Sequence, residues 1–322
     1  MTNKQYVLVI LFVIPAISIF SQGLIESRLN YNPVVAGKKK HSFENGFLRS
    51  SSIADTINLG PKGIFDDFAY LNPYADSSIW LDSSVYVNRS YGISPPSIGV
   101  ATFDGLNAEG YPYNFYMSDA PQPADTLTSK PINLNYPAVD SIYLSFYCQP
   151  QGIGNDPQTG DNLTLEFKSP DSASVWDYIW SSDGYALTDS AWKYVMIPIT
   201  NPAYLKKGFQ FRFRNNATIN GNYDQWNVDN VYLNRVRTIN DNVLSDISWV
   251  YQGRSLLKDY TAIPWKQYTT SELINKTDNY IRNNDSILKN INYTYEIDNI
   301  TTSSSITSFN GTGNINSFAL NK

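Results

Sequence analysis

Trp176, Tyr178, Trp180, Tyr185 and Trp192 crowd around the turn Ser182-Asp183-Gly184. Indole and phenol rings stack on sugar faces, and Asn or Asp beside them can hydrogen-bond hydroxyls, so such a loop is suited to binding glycan. The same rings are ordinary core residues of β-sandwiches. The two-residue spacing of Trp176, Tyr178 and Trp180 puts them on one strand face, which is either a binding face or the core.

A second group is acidic. Asp66 and Asp67 open a strand-rich region and Asp229 closes it, with Asp104 and Asp224 between. Calcium takes six to eight hard oxygen ligands from carboxylates and backbone carbonyls, so these five Asp residues are the candidates for one structural calcium where the first and last strands meet. They serve equally well as turn caps. No other cofactor is required by the sequence.

Catalytic machinery is scarce. The chain has one histidine, His41, and one cysteine, Cys148. A Ser-His-Asp or Cys-His system needs a positioned imidazole base, and His41 sits in a polar linker far from Cys148. Cys148 reads as a small buried hydrophobe. The same counts exclude a disulfide scaffold, a Cys/His zinc site and a CxxC redox pair. Glycoside hydrolysis needs two opposed carboxylates, whereas Glu109 and Glu166 are isolated in sequence. No Gly-rich phosphate loop opens a helix. The chain is expected not to be an enzyme.

The elements that must position these groups are strands. The 322 residues are 42% apolar but only 16% charged, and the aromatics include 24 Tyr, 15 Phe and 7 Trp. Aromatic and β-branched residues suit a pleated, half-buried surface. Within 63–235, short alternating segments are separated by Gly, Pro, Asn and Asp. They include 64–70, 80–82, 85–88, 100–103, 141–147, 163–167, 194–199, 209–214 and 226–233. The reading is all-β: a jelly-roll β-sandwich followed by a partial immunoglobulin-like β region at 236–322. In that tail 249–251, 260–265 and 291–297 read as strands, and 270–282 as a helical turn or two. The unit looks incomplete, as in the N-terminal piece of a longer protein or in a short form whose last domain is trimmed.

Residues 1–21 read as a signal peptide: Lys4, then a 14-residue apolar run from Val7 to Phe20 broken by Pro15 and Ser18, with Ser21 at the cut. The run is too short for a good membrane span, so the mature chain is expected to have no transmembrane segment and to be secreted or displayed at the cell surface through export machinery. Residues 22–62, with Lys38, Lys39 and Lys40, read as a linker. A net charge of −5 without a concentrated basic face excludes nucleic acid as a partner.

Several segments carry a resemblance. Gly160 to Phe167, Trp176 to Trp180, Gly208 to Asn215 and Trp226 to Val231, preceded by Phe65-Asp66-Asp67-Phe68 and Thr102-Phe103-Asp104-Gly105-Leu106, are similar to a MAM-type, concanavalin-like jelly roll. More narrowly they resemble the version at the N-terminus of type IX-secreted surface proteins of Bacteroidetes. The resemblance implies a non-catalytic adhesion or recognition module that binds glycan or a surface protein. The C-terminal sorting domain usual in such proteins has no counterpart in the sequence given. Two other readings stand beside it: a structural spacer in a larger exported protein, or the accessory domain of a secreted hydrolase.

Asp-Ser/Thr followed by an apolar residue recurs, which is similar to the O-glycosylation signal of exported Bacteroidetes proteins. It marks Thr56, Thr126, Ser141, Ser172, Ser190 and Ser286. The alternative is that Asp-Ser simply begins strands after turns.

Overall fold

The computed structural model describes residues 30–38, 56–116, 120–172, 174–182, 191–299 and 301–321. The signal peptide, His41, Lys39, Lys40, Tyr185 and Ser190 lie outside the described residues. After a single helical turn α1 (Pro33–Ala36), capped by the Asn32 side chain, the chain is built of strands. They run β1 (Ile57–Asn58), β2 (Ile64–Asp66), β3 (Tyr86–Asn88), β4 (Val100–Phe103), β5 (Gln122–Thr128), β6 (Ile132–Asn133), β7 (Ile142–Pro150), β8 (Leu163–Lys168) and β9 (Asp177–Ser182). Then follow β10 (Lys193–Ile199), β11 (Lys207–Ala217), β12 (Trp226–Asn234), β13 (Ile247–Trp249), β14 (Ile281–Asn283), β15 (Lys289–Asn299), β16 (Ser304–Ile315) and β17 (Leu320–Asn321).

Two six-stranded sheets form a sandwich. One has the order β1-β6-β11-β8-β9, with β5 also pairing β11. The other has the order β10-β7-β12-β4-β3, with β2 also pairing β12. Each central strand therefore takes two short neighbours along a single edge. On β12 the change from β4 to β2 falls at a bulge between Asp229 and Tyr232, where Asn230 adopts a φ of 50°. Gly63, with φ at 69°, brings β2 in against Leu233, where any Cβ would lie 2.5 Å from a carbonyl oxygen.

The period-two pattern decides which face is inside. Leu144, Phe146 and Cys148 on β7, Leu163, Leu165 and Phe167 on β8, Phe209, Phe211 and Phe213 on β11, and Val228, Val231 and Leu233 on β12 all enter one core. Its centre is aromatic: Phe146 meets Phe213 edge-on at 4.8 Å, and Trp80 meets Phe211 at 5.6 Å. Such contacts add to the stability from burial alone.

The opening strand is shorter than the sequence implies. Asp66 Oδ1 accepts the Phe68 N–H at 2.9 Å, and Phe68 turns to a φ of 51°, so β2 stops at Asp66. Trp80 makes only an isolated bridge to Ser129.

The region after 236 is also β. Strands β13, β14 and β17 make a small sheet, and β15 and β16 a long two-stranded ribbon. The segment 260–265, expected as a strand, is irregular and leads into a single 3-10 turn at Trp265–Gln267; another at Thr270–Glu272 takes the place of the expected helical turns. On the ribbon, Ile291, Tyr293, Tyr295 and Ile297 lie on one face opposite Gly313, Gly311, Phe309 and Thr307, while Asn, Thr, Glu and Ser fill the other. Tyr295 stacks on Phe309 at 5.4 Å.

A polar seam joins the segment after β12, and then the small sheet, to the sandwich. Arg237 donates to Ser145 Oγ at 2.9 Å, Tyr194 Oη at 3.1 Å and the Tyr232 carbonyl at 3.1 Å, and pairs with Asp241 at 2.6 Å. Farther along, the Ser94 N–H reaches the Tyr251 hydroxyl at 3.1 Å, and Arg282 donates to Ser94 Oγ at 2.7 Å.

Candidate functional site

The outer face of the β11 sheet carries the most chemistry. Because Phe209, Phe211 and Phe213 point inward, Arg212 and Arg214 must point outward, and Glu166 does likewise on β8. Arg212 Nε donates to Glu166 Oε2 at 2.5 Å, and Arg214 Nη2 donates to Oε1 at 2.9 Å. Arg214 Nε is shut off from solvent with no partner. The Arg212 guanidinium lies 4.3 Å from the Trp176 ring centroid, and Lys168 Nζ lies 5.7 Å from the same ring. Thr128 and Thr126 on β5 stand in register with Arg212 and Arg214.

The five aromatic candidates are not one cluster. On β9, Trp180 pairs with Leu165 and Tyr178 pairs with Glu166, so Ile179 is an extra residue in a β-bulge. A bulge of one residue reverses which side chains face out. Trp180 consequently turns into the core, 5.2 Å from Phe146, while Tyr178 stands 65% exposed beside Glu166. Trp176, just before the strand, lies over Arg212. Trp192 precedes β10 and donates its indole N–H to the Ile93 carbonyl at 2.9 Å. The expectation that Trp176, Tyr178 and Trp180 share one face therefore fails at Trp180, and Glu166, read as isolated, is tied to two arginines.

The acidic candidates spread over three places, each used by nearby donors. Asp66 Oδ2 accepts the Trp80 indole N–H at 2.7 Å, and burial pushes its carboxyl up to about 6. Asp67 accepts the Ala69 N–H at 3.1 Å, and Asp229 accepts the Ser97 N–H at 3.0 Å and the Asn230 N–H at 2.6 Å. Burial raises Asp229 well above the usual carboxylate range. Asp224 accepts the Thr218 N–H at 2.7 Å. Asp104 accepts the Leu106 N–H at 2.7 Å, and burial pushes it up to about 7. Its neighbour Asp125, which the sequence did not single out, accepts the Asp104 N–H at 2.9 Å and the Tyr113 hydroxyl at 2.8 Å; burial and the Asp104 charge raise it too. Among the described residues, no three His, Cys, Asp or Glu side chains come together as a metal-binding group. Backbone N–H groups donate to all five, and Ser97 Oγ reaches both the Asp67 carbonyl and the Asp229 carboxylate, at 3.2 Å and 3.1 Å.

Cys148 is fully buried, and burial pushes its thiol up to about 12. Of the Asp-Ser/Thr positions, Ser141 precedes β7 and Ser286 follows β14, both exposed. Thr126 is part-buried on β5, and Ser172 accepts the Val175 N–H at 3.1 Å. Thr56 adjoins β1.

No protein-family model matches the sequence, and no curated protein matches it. Among solved structures, a xylan-binding domain from Paenibacillus barcinonensis is 9% identical with a TM-score of 0.33, the match covering 54% of this chain and 94% of that one. A carbohydrate-binding module of Caldicellulosiruptor saccharolyticus, solved with mannohexaose, is 14% identical with a TM-score of 0.31, over 54% of this chain and 89% of that one. A cleaved adhesin domain of Lys-gingipain from Porphyromonas gingivalis is 11% identical with a TM-score of 0.24, over 44% and 75%. Likenesses of this size assign neither a family nor a ligand to the chain.

Proposed function

We propose that this protein is a non-catalytic glycan-recognition module that works outside the cell or at its surface, and that it binds through the outer face of the β11 sheet. One observation carries the reading: an exposed ring, Tyr178, stands beside Glu166, which holds the donors Arg212 and Arg214 on the next strand of the same face. A flat ring beside convergent donors suits a sugar, whose faces are apolar and whose rim is polar. The ordered MAM-type segments and the apolar run at 7–20 support an exported recognition role.

Affinity electrophoresis of the full chain through gels carrying a panel of polysaccharides tests this. Retardation by at least one glycan class, abolished in Tyr178→Ala and kept in Trp192→Ala, is the expected result. A folded protein that no glycan retards overturns it.

A further inference from the structure

We infer that the glycan is acidic, bearing uronate carboxylates or sulfate esters, and that Arg212 and Arg214 read its charge. This rests on the glycan reading above and goes further by naming the ligand's chemistry.

The first argument is the sign of the face. The chain as a whole has a net charge of −5. Among the described residues of this face, Arg212, Arg214 and Lys168 stand against Glu166 and, at the start of β9, Asp177, leaving one positive charge in excess. The nearby Asp177 accepts the Tyr204 hydroxyl at 2.7 Å.

The second argument is depth. The Glu166 side chain is 8% exposed, whereas those of Arg212 and Arg214 are 23% and 32% exposed. The carboxylate lies underneath and holds the two guanidinium groups in place, so an incoming ligand meets cations. Each guanidinium has five N–H donors in a planar fork matched to carboxylate and sulfate oxygens, and each uses one nitrogen on Glu166.

The third argument concerns Trp176. Its ring already carries the Arg212 guanidinium at 4.3 Å. That contact orients the arginine and makes Trp176 a support for charge recognition. Tyr178 is left as the open platform for a sugar ring.

The test is binding of the full chain to polygalacturonate, alginate and chondroitin sulfate, each beside its methyl-esterified or desulfated form, with neutral xylan, galactan and mannan in parallel. Polyglutamate serves as a non-sugar polyanion. The expected result is retention by an acidic glycan but not by its neutralised form, with affinity falling as salt rises. Arg214→Gln is expected to weaken binding about tenfold or more, and Arg214→Lys by less, since a lysine keeps the charge but loses the fork. An unchanged melting temperature shows that the variants fold. Binding to neutral glycans alone overturns the inference and leaves the glycan reading standing. Equal, Arg214-dependent binding of polyglutamate overturns the assignment to sugar, and acidic-glycan binding that ignores Arg214 overturns the role given to the arginines. No binding by the folded protein overturns both readings.

Discussion

Tyr178 and Trp180, two residues apart on one strand, face opposite sides of the β11 sheet, because the bulge at Ile179 inserts one residue between them. Trp180 serves the core and Tyr178 the surface. Trp180→Ala is expected to destabilise the fold by about 3 kcal/mol through the cavity it leaves beside Phe146. Tyr178→Ala should stay within about 0.5 kcal/mol, as exposed positions do. Urea titrations of the two variants check this; equal losses would contradict the assignment of faces.

Stability should fall as pH rises from about 4 to about 7. Burial raises Asp104 to about 7 and Asp66 to about 6, from an ordinary value of 3.8, and raises Asp125 and Asp229 as well. In that window the folded state keeps protons that the unfolded chain has released, so unfolding is favoured as pH climbs. The stabilisation is fully present below the unfolded value and lost through the folded one. Melting curves at pH 5, 6 and 7.5 should show a declining melting temperature. Asp104→Asn, which keeps an acceptor for the Leu106 N–H, should flatten the decline. A flat profile in the native chain would contradict the argument.

Arg237 should matter far more than its ion-pair partner. The arginine is 5% exposed and joins β7, β10 and β12 through Ser145, Tyr194 and Tyr232, whereas Asp241 is 42% exposed. Arg237→Ala is expected to cost about 3 kcal/mol, because it leaves buried acceptors unmet. Asp241→Ala should cost under about 1 kcal/mol, as partly exposed pairs do. Thermal denaturation of both variants distinguishes them; a large effect of Asp241→Ala would show that the ion pair itself dominates.

The long strands were legible because one face of each enters the core. In β7, β8, β11 and β12 apolar residues alternate, and the structure follows that pattern almost residue by residue. β5 was not, since Gln122-Pro123-Ala124-Asp125-Thr126 has no apolar alternation and carries a Pro; its pairing with β11 makes it a strand. The two-residue strands β1 and β6 carry too little pattern to read. The tail misled at 260–265, where an apolar, aromatic phrase makes no ladder.

The candidate site was half legible. Its aromatic members were visible as a cluster of types, but a bulge leaves no mark in residue identity. Glu166 seemed alone because its partners are 46 and 48 residues downstream. The Asp residues were singled out by position, whereas their work is decided by which N–H groups lie within hydrogen-bond reach.

The two central strands, β11 and β12, are also the last of the sandwich to be synthesised. β2 at residues 64–66 waits for residues 231–233, and β5 waits for residues 212–217. One sheet has no middle until the chain has been made to residue 217, and the other none until residue 234. Closing such distant segments is slow compared with local hairpins, so the sandwich stays open in a growing chain until β12 has been made. A chain stopped before β12 has edges on both sheets and a core open to solvent.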